Sequence, residues 1–454
     1  MSNNHLKAFL EDRYTNYSVY KVLQRIPHAL DTLANTQRKL IQVLSELPRS
    51  RKLKTAETYG LIYNKMKYRH GDASAFNTSE SMSRSATNNI NIFTEEGNFG
   101  TRTDKTAGGP RYTNTRFSDA ARLIFRNEDK PLLTPQYFEG AEIEPEHFLP
   151  IIPIMLINGN SAIANGFASS FLPRHPLSII DSSIEFLRTQ NMSEIEVAFP
   201  YFKGSIVKGE NNGSYEILGC FTRAKRNSIE VTEIPPNYTR ESYIKKLKKL
   251  QEKGIIKSFT ERCIENEFFF NIRFTENPKS LTDEEIINTL GLRDKIQENF
   301  TFIYPNSSFD PIMTFETAEE YLEFFLTQRL PWYQKRIDYE IMKIEEELTI
   351  LENRIHFIDL VNSGEIIVNK KKIDLIKDLK EKEILEIDGS FDYLLNMRIW
   401  NLTPEKIKEF RSKSTELKKL LKVKKRQKPV ELFCTELLEI KEFVQDELKE
   451  KGLI

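Results

Sequence analysis

Cysteine is scarce in this chain: Cys220, Cys263 and Cys434 are the only three in 454 residues, far apart and with no histidine at ligand spacing. That excludes a disulfide framework and a Cys/His zinc site, and predicts reduced, mostly buried thiols. Long apolar runs are missing too. No stretch approaches the roughly 18 residues of a membrane span, and the N-terminus MSNNHLKAFLEDRY has no apolar segment behind a basic start. The protein is therefore expected in the cytoplasm. There is no G-x-x-x-x-G-K-[ST] phosphate loop, so this chain is not expected to bind ATP. No D-x-D-type acidic pair lies near the motifs described below, so no metal ligand is assigned.

Net charge is absent as well: 66 Lys and Arg balance 66 Asp and Glu, which argues against a protein that simply coats nucleic acid. What is present is polarity. Residues 36–126 hold 16 Lys and Arg against 8 Asp and Glu, the imbalance of a molecule with one anion-binding face. A locally basic, solvated surface without a partner is the competing reading. With 39% apolar and 29% charged residues the composition is that of an ordinary water-soluble protein. The length is too great for one core and suggests about two to four domains.

Val19, Val22, Leu23 and Ile26, then Leu30, Leu33, Leu40, Ile41 and Leu44, recur at near-helical spacing and predict helix over 17–47, with Pro27 inside it. A short helix at about 55–66 leads into His70-Gly71-Asp72, and Asp72 is the expected N-cap of a second helix, ASAFNTSESMSR. Two short helices about a glycine turn make a helix-turn-helix candidate inside the basic region. Residues 91–99, 151–158 and 162–168 read as strands, so this part has the pattern of a winged helix. Composition shifts near Pro173-Arg174-His175-Pro176. From there to about 315, strands at 228–234 and 268–274 alternate with helices, one opening on a Thr282/Glu285 capping box. Another helix, ESYIKKLKKLQEK, sets Ile244, Leu247 and Leu250 against a lysine face that is solvated surface before it is a DNA contact. The segment reads as an α+β domain.

Ile337, Ile341, Ile344, Leu348, Leu351, Ile355 and Ile358 alternate spacings of four and three, a heptad seam. A second seam comes in two pieces: Ile407, Phe410, Ser414, Leu417 and Leu421, then Val430, Phe433, Leu437, Ile440 and Val444. Thr403-Pro404 marks its start, and residues 422–429 should break it. Asn362 to Leu402 is long enough for a small helical tip, so the seams can fold back as an antiparallel pair extending on the order of 60 Å. A parallel homodimeric coiled coil is the alternative.

The stretch with most chemical content is Gly97-Asn98-Phe99-Gly100 followed by Gly108-Gly109-Pro110-Arg111-Tyr112-Thr113. Glycines let a backbone approach a ligand, arginine suits a phosphate, and a tyrosine hydroxyl can form covalent intermediates. With 17 tyrosines in the chain, packing is the competing role.

Taken in order, His70-Gly71-Asp72, Gly97-Asn98-Phe99-Gly100, Arg111-Tyr112-Thr113 and Ile157-Asn158-Gly159 with Ile163-Ala164 resemble the breakage-and-reunion subunit of type IIA DNA topoisomerases. Gyrase A subunits are similar, and the short run after the second seam is most like the phage-encoded members. The resemblance implies a multidomain α+β fold: a winged-helix DNA-binding head over 1–174 and an α+β tower over 175–318. Antiparallel coiled-coil arms follow over 319–362 and 403–454, with a helical dimerisation tip over 363–402. It implies a transient double-strand break for relaxation and decatenation. Tyr112 would be the nucleophile forming a 5′-phosphotyrosyl link, and Arg111 would stabilise the transition state. His70 would contact the scissile phosphate or assist proton movement, and Arg25 joins them from Arg25-Ile26-Pro27. Ile163 would be the wedge that bends DNA, with Arg38, Arg69 and Asn98 also on the DNA. The implied partners are double-stranded DNA, a second copy of the chain, and an ATPase/TOPRIM subunit that binds ATP and supplies most Mg2+ ligands.

The sequence departs from the family in places. Ala34 stands where the family has lysine, so that role is not carried over. Ala73 and Asn77 replace the serine and acidic residue usual in gyrases, so quinolone sensitivity is not implied. The alternatives from other classes are a non-catalytic winged-helix, coiled-coil DNA-organising protein and a stand-alone tyrosine nuclease or recombinase.

Overall fold

The structure, a computed structural model, describes residues 3–225, 227–304, 311–382, 384–387, 389–398 and 403–453. The helix expected over 17–47 is two helices, α1 (Asn3–Arg25) and α2 (Asn35–Ser45), and the first begins well before residue 17. Pro27 has no amide for a continuing helix. Residues 26–34 turn instead about Asp31, whose carboxylate accepts the Leu33 and Phe148 amides at 2.9 and 3.0 Å. α2 starts where Gln37 Oε1 accepts the Ala34 amide at 2.8 Å, and it buries Leu40, Ile41, Val43 and Leu44.

β1 (Leu53–Lys54) leads into α3 (Thr55–Lys65), and a turn through Met66–Gly71 into α4 (Asp72–Ser83). Gly71, not Asp72, is the cap residue; Asp72 is the first residue of α4 and its carboxylate accepts the Ala73 amide at 2.8 Å. Residues 91–99 do not form the expected strand. Among the described residues their bridges are isolated ones, Phe93 to Phe117 and Glu96 to Asn114. β2 (Asn114–Thr115) pairs antiparallel with β1. α5 (Asp119–Ile124) is capped by Ser118 Oγ, which accepts the Ala121 amide at 2.9 Å. β3 (Tyr137–Phe138) and β4 (Ala141–Glu142) form a small hairpin.

The run 151–158, expected as a strand, contains a helix, α6 (Ile154–Asn158). Ile151, Ile152, Ile154, Leu156 and Ile157 are all fully buried, so the run is apolar on every side and carries no period to separate strand from helix. Residues 162–168 are likewise not one strand but the bend of a hairpin between β5 (Asn160–Ile163) and β6 (Ala168–Phe171), with Ile163 paired to Ala168.

After α7 (Pro176–Thr189) come β7 (Ser205–Lys208), β8 (Ser214–Leu218), β9 (Cys220–Arg223), β10 (Ser228–Glu233), α8 (Arg240–Glu252), β11 (Ile256–Glu261) and β12 (Phe270–Phe274). α9 (Asp283–Leu290), β13 (Arg293–Gln297), β14 (Phe300–Ile303) and β15 (Ile312–Phe315) follow. One antiparallel sheet has the order β11-β12-β10-β9, a second β13-β8-β7, and β14 pairs with β15. The register Ile229 to Ile272 and Val231 to Phe270 packs alternate residues against Tyr243 and Leu247 of α8 and Ile286 and Leu290 of α9. Lys245, Lys248 and Lys249 of α8 are exposed. The capping box opens α9: Thr282 Oγ1 accepts the Glu285 amide at 3.2 Å and Glu285 Oε2 accepts the Thr282 amide at 2.7 Å. Of the thiols only Cys434 is buried, and burial pushes the pKa of all three up.

By its internal contacts the chain divides into residues 1–329 with 433–454, and 330–432. α10 (Ala318–Asn362) begins in the first unit and runs through the second, which also holds α11 (Lys372–Glu381), α12 (Asp392–Leu395) and α13 (Pro404–Lys424); α14 (Pro429–Glu450) follows the expected break. Within the second unit Glu340, Glu347, Glu352 and Asp359 of α10 pair with Lys424, Lys413, Lys418 and Arg411 at 2.5–2.9 Å. From the Glu340–Lys424 pair at one end to the Asp359–Arg411 pair at the other, numbers rise along α10 and fall along α13, so the two helices run antiparallel. These pairs are mostly exposed and are worth about 0–1 kcal/mol each; they set register more than stability. Stability comes from Phe357, Ile358, Leu360, Leu375, Leu379 and Phe391, packed into one cluster. Residues 383, 388 and 399–402 of the expected 363–402 tip lie outside the described residues.

Candidate functional site

The glycine-rich loop is closed on itself. The Gly108 amide donates to Asn98 O at 2.8 Å, and at the start of α3 the Thr55 and Ala56 amides donate to Thr113 O and Pro110 O, both at 3.0 Å. Amides in the first turn of a helix have no partner inside it, which is why this loop can dock there. Thr113 is buried and its hydroxyl donates to Thr55 Oγ1 at 2.8 Å. Gly97 needs its positive φ of 103°, and a Cβ there would come within 3.3 Å of Tyr112 O. With Thr113 locked inward, Tyr112 is turned out: 76% of it is exposed, more than any other tyrosine among the described residues. Arg111 is also exposed, its guanidinium carbon 5.9 Å from the Tyr112 ring centre.

A second cluster forms where α1, α4 and the β5–β6 hairpin meet. Arg25 Nη1 donates to Ile163 O at 3.2 Å, and Tyr20 Oη lies 3.2 Å from His70 Nε2. The Tyr68 ring meets His70 edge-on at 5.3 Å. Tyr20, Arg25, His70 and Ile163 line a groove of about 520 Å3 that also takes in Lys21, Gln37, Ser74 and Thr78. Burial lowers the His70 pKa, and the charges of Lys21, Arg25 and Lys39 lower it further, so the imidazole is held neutral in a cationic groove. Such a groove is built for an anion with several oxygens. Ile163 is 69% exposed at its rim.

The groove thus gathers Arg25, His70 and Ile163, whereas Arg111 and Tyr112 lie outside its lining. Arg69 is exposed, paired with Glu139 and with its guanidinium 4.6 Å above the Phe138 ring. Asn98 is exposed, but its Oδ1 accepts the Gly100 amide at 2.8 Å and so shapes the loop. Arg38, expected on the DNA, is buried. It is 6% exposed, Nη1 donates to Glu146 O at 2.9 Å, and the same nitrogen is 3.7 Å from Asp31. The buried carboxylate of Asp31 draws it inward. Tyr20 and Lys21 were missed by sequence reasoning. The available signal was Lys21, Gln24 and Arg25 at helical spacing, one polar stripe at the end of α1.

The family model for the A subunit of DNA gyrase/topoisomerase IV matches residues 25–439. The chain is 30% identical over 422 residues to the DNA topoisomerase medium subunit of Enterobacteria phage T4, covering 90% of this chain and 92% of that one. It is 29% identical over 461 residues to the mitochondrial DNA topoisomerase 2 of Dictyostelium discoideum, covering 97% of this chain but 35% of the relative; it spans about a third of that longer protein. Among solved structures, the DNA-binding, cleavage and re-ligation domain of Plasmodium falciparum topoisomerase II superposes with a TM-score of 0.85 at 27% identity. That match covers 96% of this chain and 64% of the solved one, a mixed α/β fold in common.

Proposed function

The chain belongs to the A-subunit family of DNA gyrase and topoisomerase IV, and from that membership we propose that it is the DNA cleavage and rejoining subunit of an ATP-dependent type IIA topoisomerase. The observation that carries the reading is Tyr112, exposed beside Arg111 on a loop pinned to α3. The Tyr112 hydroxyl loses its proton as its oxygen attacks a DNA phosphorus, the P–O3′ bond breaks and O3′ takes up a proton, and the products are a 5′-phosphotyrosyl link and a free 3′-hydroxyl. One phosphodiester replaces another, so the 3′-hydroxyl can reverse the step without a high-energy cofactor.

Arg111 stabilises the extra negative charge at phosphorus; losing one such donor typically costs ~10²–10³ in rate. Arg25 and His70 hold backbone phosphate in the groove, and the neutral imidazole is able to accept or return a proton. Ile163 wedges between base pairs, where unstacking costs a few kcal/mol per step and is offset by the surface that bent DNA reaches. Arg69 adds a phosphate contact.

In this reading residues 1–174 are a winged-helix head, 175–318 a tower, and 319–362 with 403–454 coiled-coil arms joined by a dimerisation tip at 363–402. Two copies related by a two-fold axis cut opposite strands while the arms hold the dimer and a second duplex passes. Relaxation and decatenation are the outcome. Magnesium in this chemistry stabilises charge on phosphate oxygens. In this reading the magnesium ligands belong mainly to the TOPRIM domain of the partner subunit, and ATP binds to that partner. The complex works in the cytoplasm, that of the host bacterium if the chain is phage-encoded.

The test is to mix the chain with its ATPase/TOPRIM subunit, magnesium and supercoiled DNA, then trap with detergent. Protein on 5′ ends in the wild type and none with Tyr112→Phe is the expected result. Attachment at 3′ ends or through another tyrosine sinks the proposal, and DNA binding with no adduct at all favours a DNA-organising protein.

A further inference from the structure

The loop that carries Tyr112 has a second anchor, at a residue no motif singled out. Arg102 is 8% exposed, and its guanidinium grips Glu233 at the end of β10 with both prongs, at 2.8 and 3.0 Å. Nη1 also donates to Tyr201 O at 2.7 Å and to Asn266 O at 3.3 Å, and the Arg102 amide donates to Asn266 Oδ1 at 3.0 Å. Thr103 continues the attachment, its amide and hydroxyl donating to Glu265 O at 3.1 and 2.8 Å. The rings of Phe202 and Phe268 cover the guanidinium, with centres 5.9 and 5.2 Å away. Glu233 in turn accepts the amides of Lys203 and Ile234, each at 3.0 Å.

We propose that Arg102 and Glu233 form a positioning latch, which fixes the Tyr112 loop to the β9–β12 sheet so that the nucleophile is presented in one orientation. This rests on Tyr112 being the nucleophile. A buried ion pair is a poor source of net stability compared with apolar packing, but a two-pronged guanidinium–carboxylate pair is directional. Its contribution here is geometric. The loop enters through Gly97 and Gly100, both at positive φ, where the backbone turns freely; the latch holds the segment just beyond them. A reactive group misplaced by about 1 Å costs on the order of a hundredfold in rate. DNA affinity, in contrast, is a sum over many phosphate contacts, none of which involves this buried pair. Loss of the latch therefore separates chemistry from binding.

The experiment uses the full chain reconstituted with its ATPase/TOPRIM subunit, magnesium and a linear duplex. Arg102→Lys and Glu233→Gln should slow formation of the 5′ adduct by about tenfold to a hundredfold while the DNA Kd stays within about twofold of wild type. In the chain alone, amide exchange should quicken over 97–113 and stay unchanged over β12, 270–274. Thr103→Val, which leaves the ion pair in place, should slow the adduct less, and it carries the test where a pair variant does not fold. Wild-type adduct rates in the pair variants overturn the latch, as does a Kd that rises in step with the lost rate. A wild type that forms no Tyr112-dependent adduct overturns the assigned nucleophile instead, and the exchange measurement still reads whether the pair holds the loop.

Discussion

Tyr20 Oη and His70 Nε2 lie 3.2 Å apart, joining α1 to the turn that opens α4. His70 is thereby held against Lys21 and Arg25, and its lowered pKa follows first from burial and then from those charges. In the free chain the imidazole should titrate below its ordinary value of ~6.5. Lys21→Ala should move it upward, and duplex DNA should move it up further, because phosphate oxygens favour the imidazolium. Proton NMR of the His70 ring across pH 5–8 checks this. A midpoint indifferent to Lys21→Ala would mean that the groove's charges do not reach the ring.

Arg38 is a stability residue. Asp31 is fully buried, and Arg38 is the cation beside it, 3.7 Å away. Arg38→Ala leaves that carboxyl without its counter-charge, a change that costs about 3–5 kcal/mol in buried pairs. Urea unfolding should show a loss of this order, whereas the DNA affinity of the folded fraction should stay near wild type. A variant of unchanged stability and weakened DNA binding would return Arg38 to the DNA surface.

Acid should destabilise the fold through His28. Its ring is buried, stacks on His147 at 5.0 Å, and has Nδ1 accepting the Leu30 amide at 3.1 Å. Burial first, then Arg38 and His147, hold its pKa well below the ordinary value. An unfolded chain takes a proton near pH ~6.5 that the folded chain refuses, so this contribution to stability is present above that pH and is lost as pH falls below it. Asp31 works the other way. Burial raises its pKa to about 6, so the folded state takes up a proton between there and the ordinary carboxylate range, and stability recovers as pH falls through that window. Comparing thermal unfolding of wild type and His28→Gln from pH 7.5 to 5.5 isolates the histidine: wild type should lose more stability than the variant. Equal losses would remove His28 as the cause.

Local chemistry was legible in the sequence and tertiary pull was not. Thr282 and Glu285 announced a helix start because both bonds of a capping box close within one turn, and Thr403-Pro404 marked the start of α13 because proline is suited to the first helical position. The long helix α10 was readable for the same reason, as a period in neighbouring residues. Arg38 was not readable, because its orientation is decided by Asp31 and by Glu146 O, the latter more than a hundred positions away. Arg102 was invisible for the same cause: its partner Glu233, at the end of β10, is also more than a hundred positions away. In the candidate site, Arg25, His70 and Ile163 could be named from motifs, but Tyr20 and Lys21 belong to no motif and enter only because α1 crosses the groove.

Ile163 separates a wedge from a core residue in one substitution. A buried isoleucine cut to alanine costs roughly 2–5 kcal/mol, but Ile163 is 69% exposed and its link to the groove is a backbone bond, Ile163 O accepting from Arg25 Nη1. Ile163→Ala should therefore change unfolding free energy by less than about 0.5 kcal/mol. If the side chain unstacks a base step, its loss removes part of what supports the bent duplex, a term of a few kcal/mol per step. End-to-end energy transfer on a dye-labelled duplex should then report straighter DNA, and cleavage should fall about tenfold. A destabilised variant with undiminished bending would place Ile163 in packing, and the wedge would have to be sought elsewhere on the β5–β6 hairpin.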